Sequence, residues 1–198
     1  MWAFAIWDKK KNKLFLSRDR FGIKPLYYYY DGKTFVFASE IKAFMGLVKT
    51  SLNEMYLKRF LDTGIMHDGE ETFFRDIWSI LPAHSLVIDN KGLKIIKYWE
   101  FLQERARGIY DYRDAEGTFL SLLIDAVRLW LRADVKVGTC LSGGLDSSSI
   151  VSIVSKKFGL RMDSFSSIYN IDGYDESRYV DLVARDCGTS SHKISPAP

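Results

Sequence analysis

The chain has 198 residues, 47% hydrophobic and 27% charged, ordinary proportions for a globular protein with a buried core. Lysine and arginine total 28 against 25 acids, a formal charge of +3. With no arginine-rich arm or basic run, nucleic acid is excluded as the expected partner. Two cysteines, Cys140 and Cys187, are too few for a disulfide framework or a four-cysteine zinc site, and a reducing, cytoplasmic setting is expected.

The opening MWAFAIWDKKKNK has too short an apolar part for a signal peptide, and its basic residues come after it. It reads as a strand over 4–7 running into a turn at 8–12. No apolar segment approaches the roughly 18 residues of a membrane span, so no membrane partner is expected. WAFAIWD and LFLSRD, joined by KKKNK, predict one hairpin; LYYYYD and TFVFAS, joined at Asp31-Gly32, predict a second. SEIKAFMGL reads as a short helix, with Ser39 and Asn53 as N-caps for two such helices. HSLVID and LKIIKYW, joined at Asn90-Lys91-Gly92, predict a third hairpin. The expected result is a β-rich layer with helices against it.

SRDRFGIKPLYY reads as a structural hairpin, with Gly22 and Pro25 shaping the turn and the charges paired at the surface, in preference to the alternative of a segment lining a path between sites. Tyrosines 27–30 should put alternate rings into the core. His67, His84 and His192 lack ligand spacing and read as surface or loop residues.

After Trp99 the character changes. The stretch 100–114 is charged, shows no alternation and reads as a linker. Apolar residues at 119, 122, 123, 126, 127 and 130 then predict an amphipathic helix. VKVGTCL reads as a buried strand, SSSIVSIVSKKFG as a helix ended by Gly159, and MDSFSSIYN as a second strand. DESRYVDLVARDCG reads as a helix with Asp175 and Glu176 capping it, and SHKIS as a third strand. The order βαβαβ implies a parallel sheet. The chain opens on a strand with nothing before it and stops where such a sheet would be half built, which reads as a fragment.

The chemistry is concentrated in CLSGGLDSSS, residues 140–149. Ligands of an open parallel sheet bind beyond the carboxyl ends of its strands. Gly143 and Gly144 can turn with positive φ and approach an anion closely. The helix that follows aims unpaired amides and its positive end at the same place. Ser142, Ser147 and Ser148 add hydroxyls. No lysine is present, so this is not a Walker loop. Asp146 beside phosphates makes sense if it holds Mg²⁺, whose charge offsets both. The pattern points to Mg²⁺ and pyrophosphate.

This stretch resembles the PP-loop signature of the ATP pyrophosphatases. LRADVKVGTCLSGGLDSSSIVSIVSKK, SFSSIY and YDESRYVDLVARDCGTSSHKISP are similar to the start of the synthetase domain of glutamine-hydrolysing asparagine synthetases. Residues 1–44 resemble the end of that family's class II glutaminase domain. The resemblance implies the C-terminal part of an Ntn-type α+β glutaminase sandwich over 1–99 and a linker over 100–115. Over 116–198 it implies the first βαβαβ portion of a Rossmann-like α/β PP-loop domain. It also implies that Ser142, Gly143, Gly144, Asp146, Ser147 and Ser148 contact the ATP phosphates and Mg²⁺. Leu141 and Ser167 match positions that hold adenosine through their backbones. The family's reaction adenylates aspartate with ATP, then uses ammonia from glutamine to release AMP and form asparagine. The expected setting of the whole enzyme is cytoplasmic, with a homodimer as one assembly.

The resemblance also implies that the glutaminase nucleophile, the glutamine-binding segments and the aspartate-binding residues all lie outside this chain, leaving it inactive alone. Cys140, in an expected buried strand, and Cys187, near a helix end, do not replace the nucleophile. Three alternatives stay open: a β-lactam synthetase or peptide cyclase type that adenylates another carboxylate, a non-catalytic ATP-binding remnant, and a structural remnant.

Overall fold

Alternating apolar residues and short polar turns fold the first hundred residues into antiparallel strands. The computed structural model describes residues 1–66, 68–100, 114–169, 171 and 173–196. By internal contacts the chain divides into two units, Met1–Glu104 and Arg105–Pro198. The stretch 101–113 of the expected linker lies outside the described residues.

In the first unit the strands are β1 (Ala3–Asp8), β2 (Lys13–Arg18), β3 (Tyr27–Tyr30), β4 (Phe35–Ala38), β5 (Ile77–Ser79), β6 (His84–Asp89) and β7 (Gly92–Lys97). They form two antiparallel sheets, in the orders β1-β2-β6-β7 and β4-β3-β5. All three expected hairpins are present, closing at Asp8↔Lys13, Tyr30↔Phe35 and Asp89↔Gly92. Asp31 makes the second turn: its Oδ1 accepts the amides of Thr34 at 2.7 Å and Lys33 at 2.9 Å. Those two bonds hold its carboxyl below the ordinary carboxylate range. Leu16 and Leu86 of the first sheet meet Tyr28 of the second, with Leu26 and Ile80 completing the core. Each such fully buried side chain contributes about 1.5–3 kcal/mol. Tyr28 and Tyr30 turn inward as the alternation predicts, while the Tyr29 hydroxyl donates to Asp31.

The segment after β2 is not a hairpin. It carries the chain from the first sheet to the second, because β2 pairs with β1 and β6 whereas β3 pairs with β4 and β5. Nor do its charges pair at the surface. Asp19 is 2% exposed, and its carboxylate accepts the amides of Lys24 (2.9 Å), Ile23 (3.0 Å), Phe21 (3.1 Å) and Trp2 (3.3 Å). Arg18 donates to the carbonyls of Ile80 (2.6 Å), Gly22 (2.8 Å) and Lys24 (2.8 Å) and to the Ser79 hydroxyl (3.0 Å). Gly22 has φ +65°, and a Cβ there would stand 2.8 Å from the Pro82 ring.

The predicted helix after Ser39 is only a 3₁₀ turn, Ile41–Phe44. Its cap position is Glu40, whose carboxylate pairs with Lys42 at 2.6 Å and makes no capping bond. Asn53 does cap α1 (Glu54–Thr63), its Oδ1 accepting the Tyr56 amide at 3.2 Å.

The second unit runs α2 (Ala115–Trp130), β8 (Gly138–Cys140), α3 (Leu145–Ser152), β9 (Asp163–Ser167), α4 (Ser177–Cys187) and β10 (Ser190–Ile194). The strands are parallel in the order β10-β9-β8. Leu141, Val151, Val180, Ala184 and Cys187 form the core shared by β8, α3 and α4. A second cluster, Val127, Ile153, Val154 and Met162, joins α2 to the end of the α3 rod. That end, Ile153–Lys157, is a π turn, stopped at Gly159 with φ +64°. There the Ser155 hydroxyl donates to the Cys187 carbonyl at 2.8 Å, tying the rod to the end of α4.

Other expectations change. Of the strand expected over 135–141 only Gly138–Cys140 forms, and it is an edge strand. Val135 is 77% exposed, and Cys140, expected buried, lies open to solvent. The apolar stripe of α2 buries Val127 but leaves Phe119, Leu122 and Trp130 exposed. His84 opens β6 half-buried. His192 lies exposed within β10, stacked on Phe165 at 5.0 Å and paired with Asp163 at 3.0 Å. His192 is thus a surface residue as expected, though within a strand, and His67 falls outside the described residues. No helix among the described residues is long and apolar enough to cross a membrane.

Candidate functional site

The loop between β8 and α3 lies at the carboxyl end of the parallel sheet, where open α/β sheets bind ligands. Leu141 leaves the sheet fully buried. Its amide donates to the Phe165 carbonyl at 2.9 Å, and its carbonyl accepts the Ser166 hydroxyl at 2.5 Å. The strand end is therefore rigid, and the next five residues hang from it.

Gly143 needs to be glycine for two reasons. Its φ is +81°, and a Cβ would lie 2.5 Å from the Tyr179 Cβ and 3.0 Å from the Val180 nitrogen. The first turn of α4 thus packs directly onto the loop. Gly144 differs from expectation: its φ is −68°, ordinary for any residue, and it serves as the N-cap of α3 with no side chain to cover the helix amides.

The serines divide into two groups. Ser142 and Ser147 bond each other, hydroxyl to hydroxyl at 3.1 Å. The Ser142 hydroxyl accepts the Gly144 amide, and the Ser147 hydroxyl donates to the Gly144 carbonyl. Ser148 differs, because its Oγ is buried without a hydrogen-bond partner among the described residues. A buried orphan hydroxyl costs about 1–3 kcal/mol, which an arriving acceptor would recover. Asp146, exposed in the first turn of α3, makes no side-chain hydrogen bond or ion pair among the described residues.

Uncapped first-turn amides, a glycine corner and an orphan hydroxyl fit the oxygens of a phosphate chain. One free carboxylate fits Mg²⁺ when its other ligands are phosphate oxygens and water. Among the described residues no group of three His, Cys, Asp or Glu could hold a metal by itself.

Beside the loop opens a cavity of about 350 Å³. Leu141, Ser142 and Ser167 line it, so three of the expected residues face one space, while Gly143, Gly144, Asp146, Ser147 and Ser148 form the adjoining loop and helix start. Six further residues complete its wall, Cys140, Phe165, Ser166, Tyr169, Glu176 and Ile194, none of them assigned to the site from the sequence. The two acids at the start of α4 separate. Asp175 accepts the Ser177 amide at 3.0 Å and hydroxyl at 2.7 Å, as a capping residue should, whereas Glu176 makes no capping bond and borders the cavity.

Fold and site define a chain of two units, an antiparallel two-sheet layer and a parallel α/β unit whose first strand leads into a glycine- and serine-rich loop. Comparison with known families gives these a context. The description "Glutamine amidotransferase domain" matches residues 1–99, and "Asparagine synthase" matches residues 118–197. The chain belongs to the glutamine-hydrolysing asparagine synthetase family. Asparagine synthetase 3 (glutamine-hydrolysing) of Bacillus subtilis is 37% identical over 186 residues, which is 93% of this chain and 30% of that protein. Asparagine synthetase 2 of the same organism is 32% identical over 98% of this chain and 27% of its own length. The amidase chry2 of Gibberella zeae is 32% identical over 97% of this chain and 31% of its own. The chain spans 31% or less of the length of these curated relatives.

Proposed function

We propose that the second unit is the opening of a Rossmann-like PP-loop domain that binds ATP and Mg²⁺ for adenylation of a carboxylate, aspartate in the leading reading. The carrying observation is the orphaned Ser148 hydroxyl at the start of α3, behind the Gly143 corner. Ser142, Gly143, Gly144, Ser147 and Ser148 hold the phosphates, and Leu141 and Ser167 border the nucleoside. Asp146 would hold Mg²⁺, which would supply charge to the departing pyrophosphate.

A carboxylate oxygen of aspartate attacks the α-phosphorus, the bond to the β-phosphate breaks, and pyrophosphate leaves. Ammonia then attacks the acyl carbon of the adenylate, AMP leaves, and loss of a proton gives the amide. Such chemistry rests on positioning and charge rather than on a protein nucleophile, so the loop needs no base. Residues 1–99 belong in this reading to the glutaminase that supplies ammonia, joined through 100–115 to the synthetase portion over 116–198. Neither cysteine is suited to attack glutamine, Cys187 being buried and Cys140 beside the nucleotide cavity. The chain by itself is therefore expected to release no ammonia from glutamine. A cytoplasmic homodimer completes the reading for the whole protein.

A second reading keeps the loop chemistry and changes the acceptor carboxylate. It is favoured by the match of the Gibberella zeae amidase over 97% of this chain. Calorimetric titration with Mg–ATP tests the shared claim, and pyrophosphate release from the whole protein with aspartate against other carboxylates separates the acceptors. A chain that binds neither ATP nor pyrophosphate would overturn both readings.

A further inference from the structure

The cavity beside the loop is bordered by a single charged residue, Glu176. Leu141, Phe165, Tyr169 and Ile194 give it apolar walls. Two of its serine hydroxyls are already engaged, Ser166 with the Leu141 carbonyl and Ser142 with Ser147.

Glu176 stands at the cap position of α4 yet leaves the capping to its neighbour. Asp175 takes the Ser177 amide and hydroxyl, while the Glu176 carboxylate makes no capping bond and no hydrogen bond or ion pair among the described residues. Its backbone is fixed all the same. The Glu176 carbonyl accepts the amides of Tyr179 at 2.9 Å and Val180 at 3.2 Å, the two residues that pack against Gly143. Glu176 therefore sits one turn from the contact between α4 and the loop, with its carboxylate unengaged.

A carboxylate beside a polyphosphate is repelled unless it meets a donor or a cation. Asp146 in the loop is the acid suited to Mg²⁺. The nucleotide itself offers few donors, the ribose hydroxyls and the 6-amino group of the base. Phe165, Tyr169 and Ile194 suit the flat base, and the ribose lies between base and phosphates, on the side where α4 meets the loop. We propose that the Glu176 carboxylate accepts the ribose hydroxyls of the nucleotide and sets a preference for ribo- over deoxynucleotides. The inference rests on the reading of loop and cavity as an ATP site. In dinucleotide-binding sheets an acid beyond the glycine loop takes a ribose hydroxyl in the same way.

The test is calorimetric titration of the full chain, in the presence of magnesium, with ATP, 2′-deoxy-ATP, 3′-deoxy-ATP, inosine triphosphate and inorganic pyrophosphate. The wild type should bind at least one deoxynucleotide about tenfold more weakly than ATP. Glu176→Ala should lose about tenfold for ATP and bind the three adenine nucleotides alike. Glu176→Gln, which keeps an accepting oxygen without the charge, should recover part of the loss. Pyrophosphate has no ribose and should bind Glu176→Ala at least as well as the wild type, since a negative charge has gone. Asp175→Ala removes the cap, so it should lower the thermal midpoint and leave the ratio of ATP to deoxynucleotide affinities unchanged. A Glu176→Ala chain that keeps the wild-type ratio would overturn the inference. A loss shared equally by pyrophosphate would overturn it too, by assigning the carboxylate to the metal or the fold. So would a variant that loses discrimination against inosine triphosphate and keeps the ribose preference, by assigning it to the 6-amino group. In each case the loop reading stands, whereas a wild-type chain that binds neither ATP nor pyrophosphate would overturn both.

Discussion

A Cβ on Gly143 would lie 2.5 Å from the Cβ of Tyr179, closer than two carbon atoms can pack. The loop and the first turn of α4 are therefore one packed unit, and the identity of residue 143 sets their distance. Gly143→Ala adds this clash to an unfavourable φ of +81°, and the left-handed region alone costs roughly 1–2 kcal/mol for an alanine. The expected outcome is a lowered thermal midpoint together with loss of Mg–ATP binding. Gly144→Ala, at φ −68°, should be far milder, its nearest conflict being the Ser142 hydroxyl at 3.3 Å. Melting curves and titrations of the two variants side by side check the contrast.

Asp19 sets a pH limit on the first unit. Burial pushes its carboxyl up, but the amides of Lys24, Ile23, Trp2 and Phe21 outweigh that and hold it below the usual carboxylate range. Because the folded value lies below the unfolded one, the stabilisation is complete above about pH 4 and is lost as pH falls through the folded value. Asp19→Asn should cost at least about 2 kcal/mol at neutral pH, since it replaces charge-assisted bonds with weaker ones and adds donors facing donors. The cost should shrink towards pH 3. Urea unfolding at the two pH values measures it, and an equal cost at both would remove the carboxylate from this role.

That loop shows where sequence reading stops. Asp31-Gly32 and Asn90-Lys91-Gly92 were legible as turns because their signals are local. Arg18 and Asp19 were not, because their partners include Ser79 and Ile80, some sixty residues away. The βαβαβ order was legible from the 3.6 and 2.0 periods. The shortness of β8 was not, because VKVGTCL is apolar enough for a central strand while the fold places it at an edge. The glycines, serines and Asp146 of the loop were legible as a cluster. Its backing by Tyr179 was invisible, since the two lie thirty-six positions apart and meet only through packing.

Asp146 tests charge in the loop. Asp146→Asn keeps the shape and removes one negative charge. If the carboxylate holds Mg²⁺ against pyrophosphate, Mg–ATP affinity should fall about ten- to a hundred-fold, while binding of ATP without magnesium should be unchanged or improved. Ser147→Ala should do less, because that hydroxyl is one of several neutral donors and already bonds Ser142 and Gly144. Equal loss with and without magnesium would deny the carboxylate a metal role.

Ser148 supplies a prediction of unusual sign. Truncating a buried, hydrogen-bonded serine normally destabilises a protein, but the Ser148 Oγ is buried with no hydrogen-bond partner among the described residues. Removing it takes away an unsatisfied polar atom and leaves a methyl in a half-buried place, so Ser148→Ala should raise the unliganded thermal midpoint or leave it unchanged. The same change removes a donor that a phosphate oxygen would satisfy, so Mg–ATP and pyrophosphate should bind several-fold more weakly, in line with roughly 1 kcal/mol for one neutral hydrogen bond. Stability and affinity therefore move in opposite directions. Ser149→Ala is the control, because that hydroxyl already donates to the Leu145 carbonyl at 2.7 Å, and its loss should leave ligand affinity alone. The measurement is a melting curve without ligand and a titration with each ligand, for both variants. A destabilised Ser148→Ala that binds Mg–ATP as the wild type does would mean that the hydroxyl serves the fold and not a ligand.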